Sequence, residues 1–361
     1  MKFENWKKDL DRIFPELTRV ALGQRDVRIL VLSDRIALGL PSDRRLAGEV
    51  LNLYRPMKMK ARVMVWMVKT MIRLVGTSLL KSSPSDIGDA EISWLSNGAN
   101  VGFLGCNPGH GLRCVALSQQ GDQPIKVTKF AIGSNLEPVL NEGEFLKKIS
   151  GKYKGIPGFG GSEEGQEWAA FYTDHIRGRG PRKMGGSEEI DLLRGWLRSG
   201  SVVLGELPWL ENVLLEAPPV IREKLKRKTV RKALVHGDFT PWNLRRDETG
   251  LVAIDWEWAR PEGVGGLDLG HGLIMEALLV NGLSGQNLVE EIFKKINRTD
   301  QLNYIEECGW GDVNLWLAFA LLYSSELAGV EVKCELNVLE IRVEHSTQIE
   351  VGVAYDGRCG Q

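Results

Sequence analysis

Three oxygen-bearing side chains lie close together in the stretch VHGDFTPWNLRRDETGLVAIDWEWA, residues 235–259: Asp238, Asn243 five positions later, and Asp255 after the apolar run Leu251 to Ile254. An aspartate on a constrained loop can accept the proton of a hydroxyl, while an amide and a second carboxylate offer the hard oxygens that magnesium prefers. Magnesium keeps several waters and takes few protein ligands beside substrate phosphates. One proton acceptor with two cation ligands is the set that phosphoryl transfer to a hydroxyl requires.

The surrounding residues supply the means of holding that set. Ala233 to Val235 reads as a short buried strand, and GDFTPW reads as a loop in which Pro241 fixes one backbone angle. DETG, residues 247–250, reads as a hairpin turn that folds a second strand back and brings Asp255 toward Asp238.

The run HGDFTPWN, followed by IDWEWA and then by GLDLG around Asp268, resembles the aminoglycoside phosphotransferase and choline kinase group, small-molecule relatives of the protein kinases. The resemblance covers roughly residues 95 to 345. It implies an α+β, bilobal, protein-kinase-like fold with a small, mainly β N-lobe and a larger, mainly α C-lobe. It implies ATP, or another nucleoside triphosphate, with Mg2+. Asp238 would be the catalytic base, Asn243 and Asp255 the metal ligands, and His236 and Asp268 structural supports of the catalytic loop.

A kinase-like lobe also needs a glycine-rich hairpin, a lysine for the phosphates and a glutamate to position it. VGFLGCNPGHGLRCVAL, residues 101–117, reads as strand, loop and strand, with Gly102, Gly105, Gly109 and Gly111 free of side chains that would block a phosphate. Gly105 and Gly109 are the candidate phosphate contacts, although the spacing differs from the protein-kinase loop. In PIKVTKFAI, residues 124–132, a period of two puts Ile125, Val127 and Lys129 on one face. Lys129 is the candidate phosphate lysine, and Val127 its neighbour on the adenine side. Residues 136–149 read as a helix, with Glu142 the candidate partner of Lys129 and Glu144 the alternative. The segment 167–176 begins as a strand and turns polar, as a hinge would, and the resemblance implies that its main chain near Phe171 and Thr173 meets adenine.

The chain has 361 residues, 43% of them hydrophobic, enough for a large core and more than one domain. Five cysteines without metal-type spacing read as reduced thiols, and no secretory signal or membrane-spanning run is evident, so a cytoplasmic location is expected. Near-neutral net charge hides an asymmetry: residues 1–90 carry 17 Lys/Arg against 10 Asp/Glu, and residues 301–361 carry 3 against 10. Much of the basic excess falls in a helix expected from about Met57 to Leu80, which either packs on the core or lies on an anionic membrane surface at the inner face. No nucleic-acid partner is expected.

The expected organisation is an N-terminal α/β appendage at 1–92, an N-lobe at 93–173, a C-lobe with the acceptor pocket at 174–345 and a tail at 346–361. Glu306, Glu307, Asp312, Glu326 and Glu331 are either a solvated acidic face or contacts for a cationic substrate. The expected activity is phosphorylation of a hydroxyl on a small molecule such as a sugar or amino alcohol. The competing reading is a non-catalytic nucleotide-binding scaffold that acts through its basic N-terminal region at a membrane or partner protein.

Overall fold

The computed structural model describes residues 16–22, 27–32, 36–56, 59–82, 90–96, 100–106, 112–134, 136–296 and 299–343. The chain divides into two compact units, residues 1–152 with 156–177, and residues 153–155 with 178–361. The first is rich in strands and the second in helices, so the architecture is bilobal α+β.

The first unit is built on one eight-stranded antiparallel sheet. Its strands are β1 (Val27–Val31), β2 (Ile36–Pro41), β3 (Lys81–Ser82), β4 (Asn100–Cys106), β5 (Leu112–Gln119), β6 (Lys126–Ile132), β7 (Phe159–Glu164) and β8 (Trp168–Asp174), in the order β3-β1-β2-β4-β5-β6-β8-β7. Period-two side chains give each face its own core. Cys114, Ala116, Phe130, Ile132, Trp168 and Ala170 lie in one cluster. Leu38, Leu40, Leu117 and Ile125 lie in the other, with Val127 packed against it.

Two helices share the second cluster, α1 (Arg44–Leu53) and α2 (Met59–Val75). The first opens on Asp43, whose carboxylate accepts from the Leu46 N–H at 2.6 Å and so satisfies one of the bare amides of the first turn. It lies close to β4 at Gly102, where a Cβ would sit 2.6 Å from both Val50 Cγ2 and Pro41 Cδ. Because β2 pairs with β4, the boundary expected near residue 92 is not a break in the sheet.

Between β3 and β4 comes the short α3 (Ser93–Ser96), and between β6 and β7 comes α4 (Glu137–Ile149). Glu137 in the first turn and Lys147 and Lys148 in the last complement the dipole of α4.

The second unit contains α5 (Ser187–Gly195), a three-stranded sheet of β9 (Leu197–Val203), β10 (Thr229–Val235) and β13 (Arg260–Val264) in the order β13-β10-β9, and the hairpin β11 (Leu244–Asp247) with β12 (Gly250–Ala253). Asp247 Oδ1 closes the hairpin turn by accepting from the Thr249 and Gly250 amides. After α6 (Glu211–Leu215) and α7 (Pro219–Arg227), the remaining helices are α8 (Leu267–Met275), α9 (Gly285–Ile296), α10 (Thr299–Glu307) and α11 (Val313–Ala328), followed by helical residues 333–343.

Every residue of α8 is buried, and so is the run 315–324 of α11, which explains why both read as nearly unbroken apolar sequence. Asp312 caps α11 by accepting from the Asn314 and Leu315 amides, and Gly329, at φ 62°, ends it. Among the described residues no helix is long and apolar enough to cross a membrane.

Candidate active site

The loop that follows β10 is held by one buried carboxylate. Asp268, in the first turn of α8, accepts from the His236 N–H at 2.8 Å through Oδ2 and from the Gly237 N–H at 2.9 Å through Oδ1. The buried His236 ring reaches the carbonyl of Ile254 through Nε2 at 2.9 Å and stacks at a tilt on Trp256, with centroids 4.6 Å apart. Gly237 adopts φ 89°, and a Cβ there would lie 2.4 Å from the Trp258 carbonyl oxygen, so the turn accepts only glycine. Its own carbonyl accepts from the Tyr323 hydroxyl at 3.1 Å. Burial pushes the Asp268 carboxyl up to about 7 against the pull of its two amide donors, and the charge of Asp238 adds to the rise.

These contacts present Asp238 with its side chain 27% exposed, accessible yet held on both oxygens. Asn243 donates its amide hydrogens to Asp238 Oδ2 at 2.8 Å and to the Asp238 carbonyl at 3.0 Å. His271 of α8 places Nε2 3.1 Å from Asp238 Oδ1. The carboxylate can only accept, so Nε2 carries a proton. On the far side of the ring, Nδ1 lies 2.9 Å from Ser324 Oγ of α11, whose hydroxyl is 2.7 Å from the Ala320 carbonyl. Each Asp238 oxygen keeps a second lone pair that can take a hydroxyl proton.

His271 is absent from the residues singled out by sequence. It lies 33 positions from Asp238 inside the apolar run LDLGHGLIM, where a histidine reads as ordinary core. The only available signal was a polar ring three residues after Asp268, on the same turn of a buried helix.

Asn243 and Asp255 are brought together by backbone. The Ile254 N–H donates to the Asn243 carbonyl at 2.8 Å, which places Asp255 next in sequence to that contact. Asp255 alone among the described non-glycine residues has positive φ, 72°, a strain of about 1–3 kcal/mol of the kind that persists where surrounding structure imposes a side-chain direction. The Asn243 NH2 is used on Asp238, which leaves the amide oxygen for a hard cation. No group of three or more His, Cys, Asp or Glu side chains with metal-ligand geometry occurs among the described residues. One amide and one carboxylate fit magnesium, which needs few protein oxygens, better than a zinc-type cage.

In the first unit the structure joins Lys129 to Glu142. Lys129 Nζ donates to both carboxylate oxygens, at 2.7 and 2.9 Å, with the Glu142 side chain 4% exposed. Glu144, the alternative, is exposed and pairs with Lys147 instead. Phe171 is buried against Gly143 of α4.

The other residues expected around the nucleotide are placed as follows. Val127 is packed with the core under α1 and α2. Phe171 and Thr173 lie on β8 between β6 and β7, in register with Lys129 and Ser162 and with Val127 and Phe159. Gly105 is likewise an interior strand residue, paired with Ala37 and Cys114, and Gly102 makes room for α1. Gly109 and Gly111 lie outside the described residues.

Three of the five C-terminal acids have partners. Glu307 pairs with Arg194 at 3.1 Å, Asp312 caps α11, and Glu331 pairs with Lys333 at 3.8 Å.

No family model matches the sequence, and no curated protein matches it. Solved structures with a similar course include an aminoglycoside phosphotransferase of the 3''-Id type from Streptomyces rimosus, 13% identical over 58% of this chain and 89% of that one, with a TM-score of 0.34. Others are an aminoglycoside-3'-phosphotransferase of type VIII, 16% identical over 64% and 88% at 0.30, and a macrolide 2'-phosphotransferase of type I, 14% identical over 68% and 92% at 0.33. These overlaps are loose and assign no role to any residue of this chain.

Proposed function

We propose that this chain is a phosphotransferase that moves the γ-phosphoryl group of ATP to a hydroxyl of a small molecule. The observation that supports this most is Asp238, a partly exposed carboxylate held on one oxygen by Asn243 and on the other by His271. A carboxylate fixed in this way orients a hydroxyl and takes its proton as the phosphoryl group arrives. Asn243 and Asp255 would hold magnesium, which when bound neutralises the charge developing on the phosphates. Lys129, steadied by Glu142, is the cation for the nucleotide phosphates.

Two expected outcomes follow from these roles. Calorimetric titration with ATP gives binding that depends on magnesium, and Asp255→Asn removes that dependence. Lys129→Ala weakens ATP binding by roughly 10- to 150-fold, the usual worth of a charge-assisted hydrogen bond. Binding indifferent to magnesium and to both substitutions contradicts the assignment.

His271 acts through Asp238 and is therefore a positioning residue. His271→Ala is expected to lower kcat by up to about 100-fold with KM for ATP unchanged, since a misplaced reacting group loses rate more than binding. His271→Gln, whose amide can still donate, restores part of that loss. A purely structural role would give equal activity in the two variants once both are folded.

A further inference from the structure

Helix α2 is apolar on two sides. Val65 and Ile72 are buried, with Val68 and Met71 partly buried on the core shared with α1. The opposite side projects Met59 (69% exposed), Trp66 (65%) and Leu74 (74%), together with Val63 and Met67, and Leu79 continues the patch beyond the helix. At 100° per residue, positions 59, 63, 66, 67 and 74 fall on one stripe, interrupted at Thr70, whose hydroxyl bonds the Trp66 carbonyl. Only single apolar residues are ordinarily left exposed on a protein surface, and a stripe of several with a tryptophan marks a contact.

Charge identifies what that contact is. Lys60 flanks the stripe on one edge, while Arg62, Lys69 and Arg73 flank it on the other, and residues 55–74 contain no acid. A stripe of bulky apolar side chains edged by cations, on a helix of 17 residues that is too short to span a bilayer, matches a helix lying flat at a lipid surface. A protein partner would not require cations on both edges. Anionic headgroups do, at about 1 kcal/mol for each basic residue near the surface.

We infer that the outward face of α2 is a docking surface for an anionic lipid bilayer, with Trp66, Met67 and Leu74 entering the headgroup boundary and Lys60, Arg62 and Arg73 meeting lipid phosphates. This surface is independent of the chemistry proposed for Asp238, and none of its residues belongs to that site.

The test is co-sedimentation of the full chain with mixed phosphatidylglycerol/phosphatidylcholine vesicles and with pure phosphatidylcholine vesicles. The expected result is binding to the mixed vesicles only, weakened by salt. Trp66→Ser with Leu74→Ser abolishes it, and Lys60→Gln with Arg73→Gln lowers the partition coefficient roughly 5-fold per charge removed. Circular dichroism and magnesium-dependent ATP binding report that the variants remain folded. Two results overturn the inference: vesicle binding unchanged by these substitutions, or absence of vesicle binding. In the second case, sedimentation equilibrium showing a dimer that Trp66→Ser with Leu74→Ser converts to monomer would give the face to a second copy of the chain.

Discussion

Asp238→Asn is expected to lower phosphoryl transfer by about a hundredfold to ten-thousandfold, the range for loss of a positioned general base. The substitution keeps the shape of the side chain. Its amide oxygen can still accept from either Asn243 or His271, so the loop retains one of its two restraints at that position. Urea denaturation should therefore show a change small beside the loss of rate, and calorimetry should show ATP affinity nearly unchanged. A variant that keeps near-normal transfer would remove Asp238 from the chemistry. One that unfolds would move its role from catalysis to structure.

Asp268→Ala is expected to be the most damaging change to the fold of the site. It leaves the amides of His236 and Gly237 without their acceptor in a buried setting, at about 1–3 kcal/mol for each unpaired group. Two such groups amount to a large part of the 5–15 kcal/mol by which domains are usually stable. Denaturation midpoints measure this directly, and a shift within the noise would show that the two bonds do not hold the loop.

The same carboxyl gives a pH signature. Its folded titration near 7 lies above the ordinary 3.8, so between those values the folded chain binds a proton that the unfolded chain does not. Its contribution to stability is full below about pH 4, declines as pH rises toward 7, and is level above that. Asp268→Asn, which does not titrate, should lack this slope.

The parts of the site visible in sequence are those fixed by local patterns. Alternation in residues 124–132 put Lys129 on one face of a strand, and the next segment offered Glu142 first and Glu144 as the alternative, of which the structure pairs Glu142 with Lys129. The turn at Asp247 to Gly250 folds Asp255 back because Asp247 can bond the amides that follow it. The split into a strand-rich and a helix-rich unit was expected from the resemblance carried by HGDFTPWN and IDWEWA, and the dense apolar patterning downstream agreed with helices there.

What was not legible depends on distant partners. The pairing of Ile36–Cys106 and its neighbours, which merges the N-terminal strands into the main sheet, joins segments about seventy residues apart and leaves no trace in either. The contact of His271 with Asp238 and Ser324 arises only when α8 and α11 pack. The position of Phe171 and Thr173 between two neighbouring strands follows from β7 pairing with β8, which the expectation of a hinge did not include. For α2, periodicity offered core packing and surface docking as alternatives, whereas the structure packs one side and exposes the other.

The most direct test of the phosphotransferase reading is to incubate the purified chain with magnesium and ATP labelled on the γ-phosphate, together with a panel of sugars and amino alcohols, and to score label in covalent products rather than loss of ATP. The expected result is label on the hydroxyl of at least one acceptor class, dependent on magnesium and lost with Asp238→Asn. Label released only as inorganic phosphate, or transfer that persists in the Asp238→Asn chain, would contradict the account.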